Sequence, residues 1–151
     1  MRDIIFLLGA GASYGAGGIR PESPPLGANL YPELARIFPG SWGALPESTK
    51  ANFLKNFELG MAAVHSNFGF AIPQLMRELA IYFIQFRPVV DDCLYRRLIR
   101  DIKSAGISQR TALSTLNYEC TLEFSAASEG EPISYFEQDP NKGIPIWKLH
   151  G

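Results

Sequence analysis

Closely spaced glycines follow an apolar run at the start of the chain. Gly9, Gly11 and Gly15 alternate with small residues, and Ser13 lies among them. Where a strand passes into glycines at the start of a helix, a diphosphate can approach the backbone N–H groups, because no side chain keeps it away. The Ser13 hydroxyl can cap that helix, donate to a phosphate, or do both. The spacing therefore predicts a phosphate-binding turn.

This glycine spacing departs from the common phosphate-binding fingerprints. Tyr14 stands where the dinucleotide-binding pattern G-x-G-x-x-G has its third glycine, and the lysine of a P-loop is missing. A tight turn that binds no ligand is the alternative interpretation of the same residues.

The elements around the glycines predict an α/β fold. Residues 3–8 form a nearly continuous apolar run, which is typical of a strand buried on both faces, as in a parallel sheet covered by helices. The segment TALSTLNYECTLEFSAASEG begins with a short extended run and continues with a helical pattern, which predicts a second strand with Thr115, Leu116 and Asn117 at its carboxyl end. Two further short strands, EPISYFE and IPIWKLHG, flank a turn at DPNKG. We expect a Rossmann-like parallel sheet, shortened at its C-terminus, with a helical insertion at about 28–105 between the first and second core strands.

Helical patterns fill the insertion. Apolar residues recur at helical spacing in NLYPELARIF, in PQLMRELAIYF, and in NFLKNFELGMAAV, for which Ser48 or Thr49 is the expected cap. The clearest helix is DDCLYRRLIRDIKSAG, with Asp91 and Asp92 at its start and Gly106 at its end. Its basic residues alternate with acidic ones, which is typical of a solvated helix face rather than of a nucleic-acid site.

Composition and charge argue against several function classes. With 14 basic and 15 acidic residues the formal net charge is −1, so no overall field draws the chain to nucleic acid or to an anionic membrane. Its longest apolar region, 68–86, is interrupted by Pro73 and by charged residues, which is untypical of a membrane span. Cys93 and Cys120 lack the paired spacing of a zinc site or of a disulfide framework. We therefore predict a cytoplasmic protein that binds a small molecule and has no metal site.

Four short motifs occur in an order that resembles the sirtuin-like (silent information regulator) superfamily. GAGAS follows the first strand, PESPPLG spans 21–27, TLNYE spans 115–119 and LHG spans 149–151. The sirtuin-like order is GAGAS, a loop of the RPPLG kind, TxNYD and LHG. The chain looks especially like the bacterial sirtuin-like domains that hydrolyse NAD in anti-phage defence. The shared order, rather than any single motif, carries the resemblance.

The resemblance implies a role for each matching residue. Those that would line the NAD phosphates are Gly9, Ala10, Gly11 and Ser13. Asn117 would hold the reactive ribose and its water, and His150 would be the general base. Glu119 stands where the family has Asp and would accept ribose hydroxyls, or else cap the following helix. Taken singly, Asn117 also fits a turn residue and His150 a residue without function.

The activity that the resemblance implies is hydrolysis of NAD to nicotinamide and ADP-ribose or a cyclic relative. Breaking the nicotinamide–ribose bond leaves positive charge on the sugar and releases a good leaving group, so strong acid catalysis is not needed. A diphosphate clamp, an amide that orients the nucleophile and a near-neutral base would serve. The alternatives are NAD-dependent protein deacylation, which the lack of a GIPDFR-like segment at 18–22 weakens, and non-catalytic sensing of NAD or ADP-ribose.

A doubly wound sheet needs further strands after His150, which would supply the adenosine side of the pocket. We therefore expect either that the chain is the N-terminal part of a longer sirtuin-like domain, or that a second copy, a partner chain or an appended sensor domain completes it.

Overall fold

A parallel four-stranded sheet is the central element of the fold, which confirms the predicted α/β class. The computed structural model describes residues 2–89, 91–135 and 143–149. The strands are β1 (Ile4–Leu8), β2 (Ile19–Arg20), β3 (Arg87–Pro88), β4 (Thr111–Thr115), β5 (Ile133–Ser134) and β6 (Ile144–Lys148). The sheet has the order β1-β4-β6-β5 with every pair parallel, and β2 and β3 form a separate antiparallel pair.

Seven α-helices lie in the described part of the chain. They are α1 (Ala10–Tyr14), α2 (Gly27–Ile37), α3 (Glu47–Lys55), α4 (Phe57–Asn67), α5 (Ile72–Ile84), α6 (Leu94–Ser104) and α7 (Thr121–Ser128). Short 3₁₀ turns lie at Gly69–Ala71 and Ser108–Arg110. None of these helices combines the length and the apolar character that crossing a membrane requires.

The chain divides into two units. The helical unit is Pro25–Phe83, and the sheet unit is Met1–Pro24 with Ile84–Gly151. The expected insertion at about 28–105 thus contains a separate unit that ends at Phe83, whereas α6 lies in the sheet unit. In the helical unit, Trp42 is fully buried among aromatic rings, and the rings of Tyr31 and Phe53 stack 4.7 Å apart. Large aromatic rings of this kind contribute strongly to the core of the unit.

The two neighbouring strands β1 and β4 differ in burial. All five residues of β4 are buried, as expected for an inner strand of a parallel sheet. In β1, however, Ile5 is 57% exposed and Leu7 is 62% exposed. The prediction of a strand buried on both faces is therefore wrong for β1. The reason is its place in the sheet: β1 lies at the edge, and one of its two faces is not packed.

The predicted helix across NFLKNFELGMAAV is two helices, α3 and α4. The break is at Asn56, whose backbone is extended at φ −165° and ψ 136°. Its side-chain oxygen accepts hydrogen bonds from the N–H groups of Glu58 and Leu59, at 2.8 and 3.3 Å. Asn56 therefore ends one helix and caps the next. The expected cap at Ser48 or Thr49 is wrong, because both residues lie inside α3.

Helix α6 confirms the clearest helical prediction, with two corrections. It begins at Leu94, so Asp91 and Asp92 precede the helix instead of forming its first turn. Its basic side is not simply solvated: the Arg96 side chain is 17% exposed and pairs with Glu129 at 2.6 Å. Gly106 follows the helix at φ 66°, a conformation that favours glycine at a helix end.

Candidate functional site

The carboxyl ends of three parallel strands meet at one edge of the sheet. Leu8 of β1 is in register with Thr115 of β4, which is in register with Lys148 of β6. The residues that follow these strand ends begin the glycine turn, the TLNYE loop and the LHG segment. Ligands of open α/β sheets bind at this edge, outside the carboxyl ends of the strands. The sheet therefore brings together two of the motifs that the sequence singled out, the glycine turn and the TLNYE loop.

The Ser13 hydroxyl lies at the centre of a buried hydrogen-bond network at this edge. Ser13 is 1% exposed, and its Oγ contacts a Glu119 carboxylate oxygen, the Asn117 Nδ2 at 2.7 Å and the Tyr95 hydroxyl at 2.8 Å. A carboxylate only accepts, so the single hydroxyl proton of Ser13 goes to Glu119. Tyr95 and Asn117 then donate to Ser13. Ser13 Oγ thus donates one hydrogen bond and accepts two. While these three bonds are present, Ser13 cannot donate a hydrogen bond to a phosphate.

The Asn117 side chain is held in one orientation. Besides Ser13, its Nδ2 lies 3.0 Å from Oε1 of Glu119 and 3.2 Å from the carbonyl oxygen of Gly9, and both of these atoms are acceptors. The backbone N–H of Asn117 donates to Oγ1 of Thr115 at 3.0 Å. None of the described residues donates to the amide oxygen Oδ1. Within the described residues, that oxygen is therefore the end of the Asn117 amide that accepts no hydrogen bond.

Glu119 caps α7, which is one of the two roles considered for it. Its Oε2 accepts the backbone N–H of Thr121 at 2.5 Å, while its Oε1 takes the hydrogen bonds of Ser13 and Asn117. Glu119 is 4% exposed. A carboxylate with this many donors holds the turn, the loop and the helix start together. Three of the roughly four acceptor sites of this carboxylate are thus used within the protein.

Lys148 anchors the loop from the side of β6. Its Nζ donates to the backbone oxygen of Glu119 at 2.9 Å and pairs with Glu123 at 3.1 Å. Oε2 of Glu123 is buried without a hydrogen-bond partner. Lys148 thus supplies the positive charge that makes a buried carboxylate tolerable at this position.

The space that a side chain would occupy at Gly9 and Gly11 of the glycine turn is empty. A Cβ added to Gly9 or Gly11 would meet no atom within 4 Å. Gly9 has φ −111° and Gly11 lies inside α1, so neither backbone conformation requires glycine. The N–H groups of Ala10 and Gly11, in the first turn of α1, make no hydrogen bond within the described residues. Neither strain nor packing among the described residues explains these two glycines.

The remaining sequence-predicted residue is His150, which lies outside the described residues. Leu149, the last described residue before it, donates its backbone N–H to the carbonyl oxygen of Thr115 at 2.9 Å. This bond continues the pairing of β6 with β4 by one residue.

Tyr95 and Lys148 are site residues that the sequence analysis missed. Lys148 precedes the LHG motif, so its place in the strand was a usable signal. Tyr95 gave no such signal in the sequence, because it fits the apolar face of α6 and its partner Ser13 lies 82 residues away in the chain. Burial raises the pKa of Tyr95, with a further contribution from the charge of Glu119, so this hydroxyl keeps its proton as a hydrogen-bond donor.

The same loop contains Cys120, whose thiol pKa is raised by burial and by the nearby Glu123 carboxylate, although Lys148 acts in the opposite direction.

Across the described residues, no group of three or more His, Cys, Asp or Glu side chains is placed to hold a metal ion. Comparison of the chain with protein-family models and with curated proteins found no match.

Proposed function

We propose that the chain is a sirtuin-like domain that binds NAD at the carboxyl edge of the sheet and hydrolyses it to nicotinamide and ADP-ribose. The observation that carries this proposal is the open glycine turn. Gly9 and Gly11 are not required by backbone conformation or by packing, yet they leave the N–H groups of Ala10 and Gly11 accessible. A ligand that approaches the backbone closely, such as a diphosphate, gives these glycines a reason.

Besides a site for the diphosphate, hydrolysis of NAD needs a group that orients the attacking water or hydroxyl. The Asn117 amide is suited to this role. With Nδ2 bound to Ser13 and Glu119, Oδ1 is the free end of the amide. An amide oxygen accepts a hydrogen bond from a water molecule or a ribose hydroxyl, and its partial negative charge stabilises positive charge that develops on the sugar. Because the network already fixes the amide, little reorganisation is needed when NAD binds.

The general base in this proposal is His150, by its match to the LHG motif. A histidine is the natural base near neutral pH for a water or a ribose hydroxyl. The physiological role that we propose with it is depletion of NAD in defence against phage.

A second candidate is a module that binds NAD or ADP-ribose without turnover. It is favoured by the same network, since Ser13, Asn117 and Glu119 satisfy one another in a closed arrangement. A closed arrangement of this kind also suits a purely structural role for all three side chains. Binding would then use the glycine turn alone.

Proton NMR of the protein with NAD separates these candidates. Nicotinamide release and saturation transfer to NAD are followed in the same tube, for the wild type, for Asn117→Ala and for Asn67→Ala. Asn67 is an exposed asparagine of the helical unit and serves as the matched control. Release that disappears in Asn117→Ala and persists in Asn67→Ala supports the hydrolase. Adding an acyl-lysine peptide tests deacylation in the same way.

Saturation transfer without release would favour the binding module. Absence of both signals in the folded wild type would refute the proposed function, and the glycine turn would then be only a turn.

A further inference from the structure

Helix α6 contributes one side chain to the network at the sheet edge. Tyr95 is 3% exposed, and its hydroxyl lies 2.8 Å from Ser13 Oγ and 3.5 Å from Asn117 Nδ2. Tyr95 belongs to none of the four sequence motifs. The ring of Tyr95 belongs to the buried face of α6, and its hydroxyl adds these polar contacts with the turn and the loop.

The hydrogen count assigns the direction of each bond. Ser13 has one proton, and Glu119 can only accept it, so the Tyr95 hydroxyl must donate to Ser13. Both lone pairs of Ser13 Oγ are then filled, one by Tyr95 and one by Asn117. A hydroxyl with three partners has one rotamer that satisfies all of them. If one partner is lost, the hydroxyl can adopt other rotamers.

We infer that Tyr95 is a positioning residue for Asn117, because its hydroxyl holds the Ser13 hydroxyl in the rotamer that keeps the Asn117 amide oxygen free for the ligand. When the Tyr95 hydroxyl is removed, Ser13 gains freedom to turn, and Nδ2 of Asn117 loses a constant acceptor at 2.7 Å. Glu119 Oε1 and the Gly9 carbonyl oxygen remain as acceptors for Nδ2, at 3.0 and 3.2 Å, so the orientation of the amide becomes less strictly fixed. The kinetic consequence rests on the proposed function, whereas the effect on the amide does not.

Tyr95→Phe tests this inference, with Tyr31→Phe as the matched control. Tyr31 is also buried, at 5% exposure, and its hydroxyl donates to a backbone oxygen, that of Trp42, at 3.3 Å within the helical unit. Each variant removes one buried hydroxyl group and keeps the ring. A merely structural role predicts the same result for both.

The first readout needs no NAD. The ¹⁵N–¹H₂ signal of the Asn117 side chain is assigned by its loss in Asn117→Ala. We expect Tyr95→Phe to shift this signal and to speed exchange of its protons with water, and Tyr31→Phe to leave it unchanged. Ser13→Ala removes the next link and should change the signal in the same way. An unchanged signal in both Tyr95→Phe and Ser13→Ala would overturn the inference.

The second readout is turnover. In Tyr95→Phe we expect kcat for nicotinamide release to fall about tenfold while KM for NAD changes less than about twofold, since a lost orienting hydrogen bond acts on the reacting state rather than on phosphate binding. A KM effect with an unchanged kcat would overturn the inference. If the wild type releases no nicotinamide, the proposed function fails, but the amide signal still decides whether Tyr95 positions Asn117.

Discussion

Replacing Gly11 by alanine should separate folding from ligand binding, with effects of opposite sign. The added Cβ meets no atom within 4 Å, and Gly11 lies in α1 with no need for a positive φ. Glycine within a helix costs about 0.5–1 kcal/mol relative to alanine, so the variant should be as stable as the wild type or more stable by up to that amount. With a urea m-value of about 2 kcal/mol/M, the midpoint should rise by at most roughly 0.5 M.

Binding of NAD should weaken in the same variant. A hydrogen bond to a charged phosphate oxygen is worth about 1.5–3 kcal/mol. If the new methyl group holds the diphosphate off the backbone N–H groups, the Kd measured by isothermal titration calorimetry should rise by at least about tenfold.

The matched control is Gly27→Ala. Gly27 also lies in the first turn of a helix, α2, and a Cβ there also meets nothing within 4 Å, but it belongs to the helical unit. It should show the stability gain without the loss of binding. If Gly11→Ala binds NAD as tightly as Gly27→Ala does, the open space at the turn is not a diphosphate site and the reasoning is refuted.

Three further predictions concern the helical unit and the loop. Gly60→Ala places a Cβ in a clash with the Phe53 ring, so overpacking should lower the free energy of unfolding in urea by about 1–3 kcal/mol, and equal stability would contradict this packing. Asn56→Ala removes the cap of α4 and should cost about 1 kcal/mol in the same assay, whereas Asn56→Ser should restore most of it. The Cys120 thiol, with its pKa raised mainly by burial, should react with iodoacetamide along a pH profile whose inflection lies above that of the urea-unfolded protein; an inflection below it would show the opposite shift.

Local pattern was sufficient for the parts of the fold that depend on local structure. The apolar run before Gly9 and the run before Asn117 are strands β1 and β4, and both end where the motifs begin. Parallel strands in register bring their carboxyl ends to one edge, so two predicted strands were enough to place Gly9 beside Asn117. The 3.2 Å contact between Asn117 Nδ2 and the Gly9 carbonyl oxygen is the result of that geometry.

Other features of the fold depend on interactions that the local sequence pattern does not show. The apolar stripe across α3 and α4 continues through Asn56, but the side-chain cap there outweighs helix continuation. The exposure of Ile5 and Leu7 follows from the edge position of β1. An apolar run does not indicate whether its strand lies at the edge or in the middle of a sheet. Tyr95 is a residue whose partner is 82 positions away, so its role is visible only once α6 has packed.

The network at the sheet edge also explains why its members tolerate burial together. Glu119 is a carboxylate at 4% exposure, and burying such a group without partners would be costly. Three donors come to it from three different elements: the Ser13 hydroxyl from α1, the Asn117 amide from the loop and the Thr121 N–H from α7. Each donor is in turn fixed by the carboxylate. The carboxylate thus joins α1, the loop and the start of α7, and it fixes the Asn117 amide with Nδ2 against the carbonyl oxygen of Gly9.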